Sequence, residues 1–194
     1  MRSKRTQQIC ETAIFIALVF LGTFLLKIPL PLGYTHLGDC MIVLAVLMMG
    51  GRRGALAGGI GAALADLVSG YAIWAVPSLV CKTAMALIMG LMLEKHAFGL
   101  QGRPSWIVSG ICGGLVQCAG YLVFWRLLFG RAAMIAAIVP LGVQTGLGIG
   151  IAFAIGVLLS RTALRSHFIS AAFKEETVSL KGEAETLKGE AHHA

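Results

Sequence analysis

The sequence predicts an all-α integral membrane protein, built as one bundle of six transmembrane helices. Of the 194 residues, 57% are hydrophobic and only 13% are charged. Soluble domains carry about 25% charged residues. A fraction of charged residues half as large, together with long apolar segments, is typical of a chain that crosses a bilayer several times. The length leaves no room for a separate soluble domain.

The apolar segments define the six predicted spans. Pro77 fits the first turn of the fourth span. Pro140 is expected to divide the last and longest stretch into a short outer piece and a final helix. The first apolar run lacks a small-residue cleavage site and is therefore assigned as a span rather than a signal peptide. The predicted spans cover residues 9–26, 36–49, 55–68, 77–93, 105–125 and 132–159.

The basic residues near the span ends indicate the orientation, because cytoplasmic loops are enriched in Lys and Arg. The larger set places both termini in the cytoplasm and comprises Arg2, Lys4, Arg5, Arg52, Arg53, Lys95, Arg103, Arg161 and Arg165. The outer set comprises Lys27, Arg126 and Arg131. Residues 1–165 are expected to form the membrane-embedded domain, and residues 166–194 a polar, flexible cytoplasmic tail.

Polar side chains inside the predicted spans fall in the outer half of the membrane, beneath two aromatic loops. Ionised groups within a bilayer usually face a bundle interior or a water-filled cavity. They therefore predict an outward-facing ligand pocket. A purely structural role is the alternative: Asp66 and Lys82 could neutralise one another, and the aromatic residues could form an interfacial belt. The candidate substrate-binding residues are Tyr34, His36, Asp39, Asp66, Tyr71, Trp74, Lys82, Gln117, Tyr121 and Gln144.

Several catalytic motifs are absent from the sequence. It contains no phosphate-binding Gly-x-x-x-x-Gly-Lys-Ser/Thr loop and no His-Glu-x-x-His metalloprotease motif, so ATP hydrolysis by this chain is not expected. The five cysteines have no metal-ligand spacing in a polar loop. We therefore expect no metal, no cofactor and no nucleic-acid partner, and we expect a partner protein to supply the energy for any transport.

Four short motifs lie at the ends of the predicted spans: His36-Leu37-Gly38-Asp39, Gly50-x-x-x-Gly54, Asp66-Leu67-x-x-Gly70-Tyr71 and Pro77-x-x-x-x-Lys82. Together they resemble the substrate-binding S component of an energy-coupling factor (ECF) transporter, and the resemblance covers residues 9–160. A fifth motif, Ala13-Ile14-Phe15-Ile16-Ala17, is similar to the signature with which S components dock on the coupling subunit.

This resemblance implies a six-helix protein of the plasma membrane that captures a vitamin or related micronutrient from outside. Residues 30–39 would form a lid, and Ala13 and Ala17 would dock on the coupling subunit. The implied partners are a transmembrane coupling subunit and two cytoplasmic ATPases. The pattern is similar to the riboflavin-, pyridoxine- and hydroxymethylpyrimidine-type branch. The alternatives are a membrane scaffold without a ligand, and an intramembrane enzyme that uses Asp39 and Asp66 as paired carboxylates.

Overall fold

The computed structural model describes residues 4–25, 27–30, 33–95 and 102–159. The predicted tail, 166–194, lies outside these described residues. The elements in chain order are α1 (Lys4–Phe24), β1 (Lys27–Leu30), β2 (Gly33–His36), α2 (Gly38–Met49), α3 (Gly51–Val68), α4 (Ala72–Glu94) and α5 (Arg103–Leu159).

Helix α5 consists of two antiparallel arms joined at Gly130. A straight helix of 57 residues would be roughly 85 Å long, far more than the thickness of a bilayer. Gly130 has φ 86° and ψ −176°, a conformation that glycine adopts without steric cost. The two arms then pack side by side, with Gly114 against Thr145 and Gly110 against Ile149.

The sequence analysis ended the fifth span at residue 125 and began the last apolar stretch at residue 132, and Gly130 lies between them. Its further prediction, that Pro140 divides the last stretch, was wrong. Pro140 lies inside the second arm of α5, and Gly130 is the position with non-helical dihedral angles. Proline removes one backbone donor but keeps a helix-compatible φ. A membrane helix therefore tolerates proline. The reversal of the chain instead needs a positive φ, which glycine adopts without the steric cost that other residues incur.

The start of α4 also differs from the prediction, because Pro77 lies one turn inside the helix rather than in its first turn. The turn before α4 explains the earlier start. The Tyr71 N–H donates to the Asp66 carbonyl at 2.8 Å, and the Trp74 N–H donates to the Tyr71 carbonyl at 2.8 Å. Helix α4 therefore begins at Ala72, and its first turn carries Trp74.

Three described helices are long and apolar enough to cross a membrane: Arg5–Phe24, Ala72–Glu94 and Arg103–Leu159. Helix α2 is apolar but shorter, with 12 residues. These helices confirm an all-α membrane bundle, to which the structure adds one small β-hairpin. Strands β1 and β2 pair antiparallel, from Lys27 opposite His36 to Leu30 opposite Gly33. The hairpin lies within the chain between α1 and α2, where the sequence analysis predicted a lid.

Helix α2 forms the centre of the bundle. Almost every residue from Gly38 to Met49 is buried, and the helix contacts α1, α3, α4 and α5. Its sequence is apolar all round, as expected for a helix enclosed by others. Asp39, in its first turn, is the exception.

Glycine allows α3 and α4 to approach each other closely. A Cβ atom added at Gly51 would lie 2.7 Å from the Gly90 Cα, and one added at Gly59 would lie 3.1 Å from the Leu79 carbonyl oxygen. Small residues commonly line such interfaces in membranes, because backbone-to-backbone packing drives helix association there.

We expect Gly90→Ala to destabilise the protein. The new methyl group would overlap the backbone of Gly51, and such overpacking costs about 1–3 kcal/mol. The melting temperature of the purified protein should fall by about 2–4 °C for each kcal/mol. Gly146→Ala is the matched control, because a Cβ there meets nothing within 4 Å. An equal effect of both substitutions would contradict this close contact.

Candidate ligand-binding site

A cavity of about 520 Å³ opens at one end of the bundle. At this end α2 begins, α3 ends, α4 begins and the two arms of α5 meet. Its volume is within the range of about 300–1,000 Å³ that small-molecule sites occupy. The lining residues are Thr23, His36, Asp66, Ser69, Tyr71, Trp74, Ser78, Tyr121, Trp125, Ala133, Ala136, Ala137, Pro140, Leu141 and Gln144.

Aromatic side chains from α4 and the first arm of α5 form one wall of the cavity. The ring centroid of Trp74 lies 4.8 Å from that of Trp125 and 6.1 Å from that of Tyr121. Phe129 extends the cluster, with its ring 5.8 Å from Trp74 and 5.2 Å from Trp125. Tyr121 and Trp125 are one helical turn apart and so share a face. The result is an apolar surface on which a planar ring can lie.

Polar side chains occupy other parts of the lining. Asp66 and Ser69 come from the last part of α3 and the turn that follows it, and Gln144 comes from the second arm of α5. The hydroxyl groups of Ser78 and Tyr121 lie 2.6 Å apart and share one hydrogen bond. The cavity thus combines a large apolar surface with a few hydrogen-bonding groups, the usual composition of a small-molecule site.

His36 connects the cavity to the hairpin. It is the last residue of β2 and lines the cavity. Its Nδ1 accepts a hydrogen bond of 3.2 Å from the backbone N–H of Gly38. The bond fixes the end of the hairpin to the first turn of α2.

A buried polar group, which we call the Asp39 cluster, lies directly behind the cavity. It comprises Asp39, Lys82, Gln117 and Thr145, all buried. The Lys82 ammonium forms an ion pair with the Asp39 carboxylate. The Gln117 amide donates to Asp39 Oδ2 at 2.9 Å and to Thr145 Oγ1 at 3.0 Å. Since a charge in an apolar interior is costly unless it is paired, the cluster joins α2, α4 and both arms of α5 by neutralising Asp39.

Gln144 links the Asp39 cluster to the cavity. It lines the cavity, and its amide nitrogen donates to Asp39 Oδ2 at 3.4 Å. On α4 and on the first arm of α5, the cluster lies one turn deeper than the cavity: Lys82 is one turn below Ser78, and Gln117 is one turn below Tyr121. The cluster therefore supports the inner side of the site.

The structure separates the predicted substrate-binding residues into three groups. Six of them line the cavity: His36, Asp66, Tyr71, Trp74, Tyr121 and Gln144. Asp39, Lys82 and Gln117 belong to the buried cluster and do not line it. The side chain of Tyr34 lies outside the described part of the chain. The ion-pair partner of Lys82 is Asp39, whereas the sequence suggested Asp66.

The sequence analysis missed several lining residues. Trp125 could have been found, because it lies one turn beyond Tyr121 on the same helical face. Ser78 could have been found in the same way, because it lies one turn before Lys82 on the same face of α4. The small and apolar residues of the second arm, such as Ala137 and Leu141, carry no chemical signal. They line the cavity only because Gly130 folds that arm back.

The predicted docking residues lie on a different surface. Ala13 and Ala17 are exposed on α1, beside the exposed side chains of Ile14 and Leu18. Neither alanine lines the cavity. Among the described residues, no group of three or more His, Cys, Asp and Glu side chains is arranged to hold a metal ion.

Apolar helices around a neutralised charge, with an aromatic-walled cavity at one end, define a membrane protein with a small-molecule site. Residues 3–161 match the sequence model of the family described as "ECF-type riboflavin transporter, S component". The chain belongs to this family. It is accordingly the substrate-binding component of a transporter and not an enzyme, as predicted, and the alternative of an intramembrane enzyme with paired carboxylates is set aside.

Two relatives are similar over nearly their whole length. One is an "Uncharacterized protein in gap 3'region" of Pyrococcus woesei, 33% identical over 145 residues, which cover 74% of this chain and 95% of the relative. The other is "Thiamine precursor transporter HmpT" of Lactococcus lactis subsp. cremoris (strain MG1363). It is 28% identical over 171 residues, which cover 87% of this chain and 96% of the relative.

Proposed function

We propose that this protein captures a vitamin or vitamin precursor with a heteroaromatic ring at the outer face of the plasma membrane. The observation that carries the proposal is the cavity of about 520 Å³, with its wall of Trp74, Tyr121 and Trp125. The name of the family refers to a riboflavin transporter, and the name of one relative refers to a thiamine precursor transporter. Both names refer to compounds with planar nitrogen-containing rings.

The proposed topology has six crossings, with both termini in the cytoplasm. Helices α1 to α4 supply four crossings, and the two arms of α5 supply two. The basic residues support this orientation: Arg52 and Arg53 lie at the α2–α3 turn, and Lys95 follows α4, all at the end opposite the cavity. The cavity therefore opens to the outside. Residues 1–165 form the membrane domain in this proposal, and residues 166–194 a cytoplasmic tail.

The proposed binding mode uses the two sides of the cavity differently. A planar ring stacks on Trp74 and Trp125, where aromatic contacts contribute about 0.5–1.5 kcal/mol beyond the buried area. Asp66 and Gln144 bind the polar edge of the ring. The hairpin ending at His36 covers the bound ligand as a lid. The Asp39 cluster keeps the inner side of the site in place without touching the ligand.

The proposed partners are a transmembrane coupling subunit and two cytoplasmic ATPase subunits of an ECF module. The exposed strip of α1 that carries Ala13 and Ala17 is the surface proposed to contact the coupling subunit, since small side chains allow close helix approach. ATP hydrolysis in the partners would tilt this protein in the membrane and release the ligand inside. No ATP-binding motif in this chain is required for that cycle.

The direct test is ligand binding by the purified protein. We expect one compound from a panel of riboflavin, pyridoxine, thiamine and hydroxymethylpyrimidine to quench tryptophan fluorescence. At about 100 times its Kd, that compound should stabilise the fold by about 2.7 kcal/mol. Trp74→Ala should weaken its binding about 10- to 100-fold, by analogy with the loss of a stacked base.

Two control variants separate stacking from general damage. Trp74→Phe retains an aromatic ring and should keep most of the affinity. Trp106→Phe changes a buried tryptophan that packs on Gly156, away from the cavity, and should leave the affinity unchanged. If no panel compound raises the melting temperature and no ATPase copurifies, the scaffold interpretation replaces this proposal.

A further inference from the structure

We propose that the turn of α5 around Gly130 binds the phosphate group of an anionic phospholipid, through Arg126 and Arg131. The turn lies at the end of the bundle where the cavity opens, since Trp125 and Ala133 on either side of it line the cavity. The lipid site goes beyond the proposed function and does not depend on it, because it needs only the membrane bundle and no particular ligand or orientation.

The length of α5 places this turn at the level of the lipid headgroups. The first arm, from Arg103 to Gly130, is about 40 Å long at 1.5 Å per residue. A bilayer is about 30 Å thick across its hydrocarbon core and about 40–45 Å thick with its headgroup regions. Arg103 and Lys95 are exposed cations at the end of the bundle opposite the cavity, where one interface is expected. The arm that begins there therefore ends at the other interface.

The turn combines large exposed apolar side chains with exposed arginines. Leu127 is 73% exposed and Phe129 is 50% exposed, and Arg126 and Arg131 are exposed on either side of them. At a membrane interface, apolar side chains enter the acyl region while the long basic side chains extend to the phosphate layer. A site for a free anion in water would not require the apolar part. The chemistry of the turn therefore matches a phospholipid.

The described part of the chain does not neutralise these two arginines. The sequence contains no Asp or Glu between residues 103 and 159. The ion pairs among the described residues are those of Arg53 and Lys82, and neither arginine of the turn takes part in them. A guanidinium group can bind two phosphate oxygens through parallel hydrogen bonds. A lipid phosphate thus supplies the negative charge that the turn itself lacks.

The test measures which lipid headgroup is preferred beside the turn. Trp74→Phe and Trp106→Phe leave Trp125 as the one tryptophan of the chain, next to Arg126. This full-length protein is placed in phosphatidylcholine vesicles that contain either phosphatidylglycerol or phosphatidylcholine with brominated acyl chains, and quenching of Trp125 fluorescence gives their relative association. We expect phosphatidylglycerol to associate at least about fivefold more strongly, the effect of one arginine near an anionic membrane surface. Equal association of the two lipids overturns the proposal.

Variants of the arginines test the cause of the preference. Arg126→Gln together with Arg131→Gln should bring the two lipids within about twofold of each other. Arg53→Gln is the matched control, because it removes an arginine that is already paired with Glu11, at the opposite end of the bundle. It should leave the preference unchanged. A preference that survives in the double variant, or that is also lost in Arg53→Gln, overturns the assignment to this turn.

If the double variant lacks a cooperative melt, Arg131→Gln alone takes its place and should reduce the preference at least about twofold. An unchanged preference in that variant likewise overturns the proposal.

Inorganic phosphate distinguishes a lipid from a free anion. It is compared with sodium chloride of equal ionic strength, so that screening is the same, and should leave the preference unchanged. Loss of the preference in phosphate alone would identify a free anion as the occupant and overturn the lipid assignment. Binding of the vitamin compounds is measured separately, so the lipid site and the ligand site can each be refuted without the other.

Discussion

Lys82→Met is expected to destabilise the protein by about 3–5 kcal/mol, the usual effect of removing one partner of a buried ion pair. The substitution leaves the Asp39 carboxylate fully buried and without its ammonium partner, while the Gln117 and Gln144 amides still donate to it. Thermal unfolding of the purified protein should show a fall in the melting temperature of roughly 6–20 °C, since each kcal/mol corresponds to about 2–4 °C at this chain length.

Two further variants identify the cause of that loss. The double substitution Asp39→Leu and Lys82→Met removes both charges and should recover much of the stability, because an apolar replacement of a buried pair is often neutral or stabilising. Arg53→Met breaks the partly exposed pair of Arg53 and Glu11, which are 3.0 Å apart, and should cost less than about 1 kcal/mol. Equal effects of Lys82→Met and Arg53→Met would show that the Asp39 cluster is unimportant.

Replacing Ala13 and Ala17 together with leucine is expected to abolish uptake and leave ligand binding unchanged. Both alanines are exposed on α1 and lie outside the cavity. Larger side chains there would hold a partner helix away, because close approach requires small residues. Uptake would be measured in cells that contain the whole transporter, and binding by tryptophan fluorescence on the purified protein.

The matched control for this surface is Ala154→Leu, which enlarges an exposed alanine on the second arm of α5. It should retain uptake, since it lies on another helix. Loss of binding together with uptake in the Ala13 and Ala17 variant would mean that the fold, and not docking, was damaged. Normal uptake in that variant would exclude α1 as the contact surface.

The sequence predicted the elements of the bundle well, because long apolar runs leave little choice but membrane helices. It wrongly added a division at Pro140, because proline is a conspicuous helix breaker in isolation. The predicted spans 105–125 and 132–159 left Gly130 in the connection between them, but the sequence analysis did not name it as the turn residue. Whether the last stretch stays one helix depends on how the two arms pack together, as between Gly114 and Thr145, which is long-range information.

The cavity was partly predictable from depth along each span. His36, Asp66, Trp74 and Gln144 fell in one layer by counting residues, and they line one cavity. Depth alone could not choose the partner of Lys82, because Asp39 and Asp66 both lay in the outer half. The rotation of each helix decides that pairing, and it depends on the packing of all the helices around α2.

The turn at Gly130 positions two walls of the cavity at once. Trp125 lies on the first arm of α5 and Ala137 on the second, and both line the cavity. The two surfaces are therefore joined through one backbone position. Gly130 is exposed, and a Cβ atom there would meet nothing within 4 Å. The torsion angles of Gly130 therefore set the distance between these two surfaces at the mouth of the cavity, and the hydrogen bond of 3.0 Å between Gln117 and Thr145 fixes the same two arms deeper in the bundle.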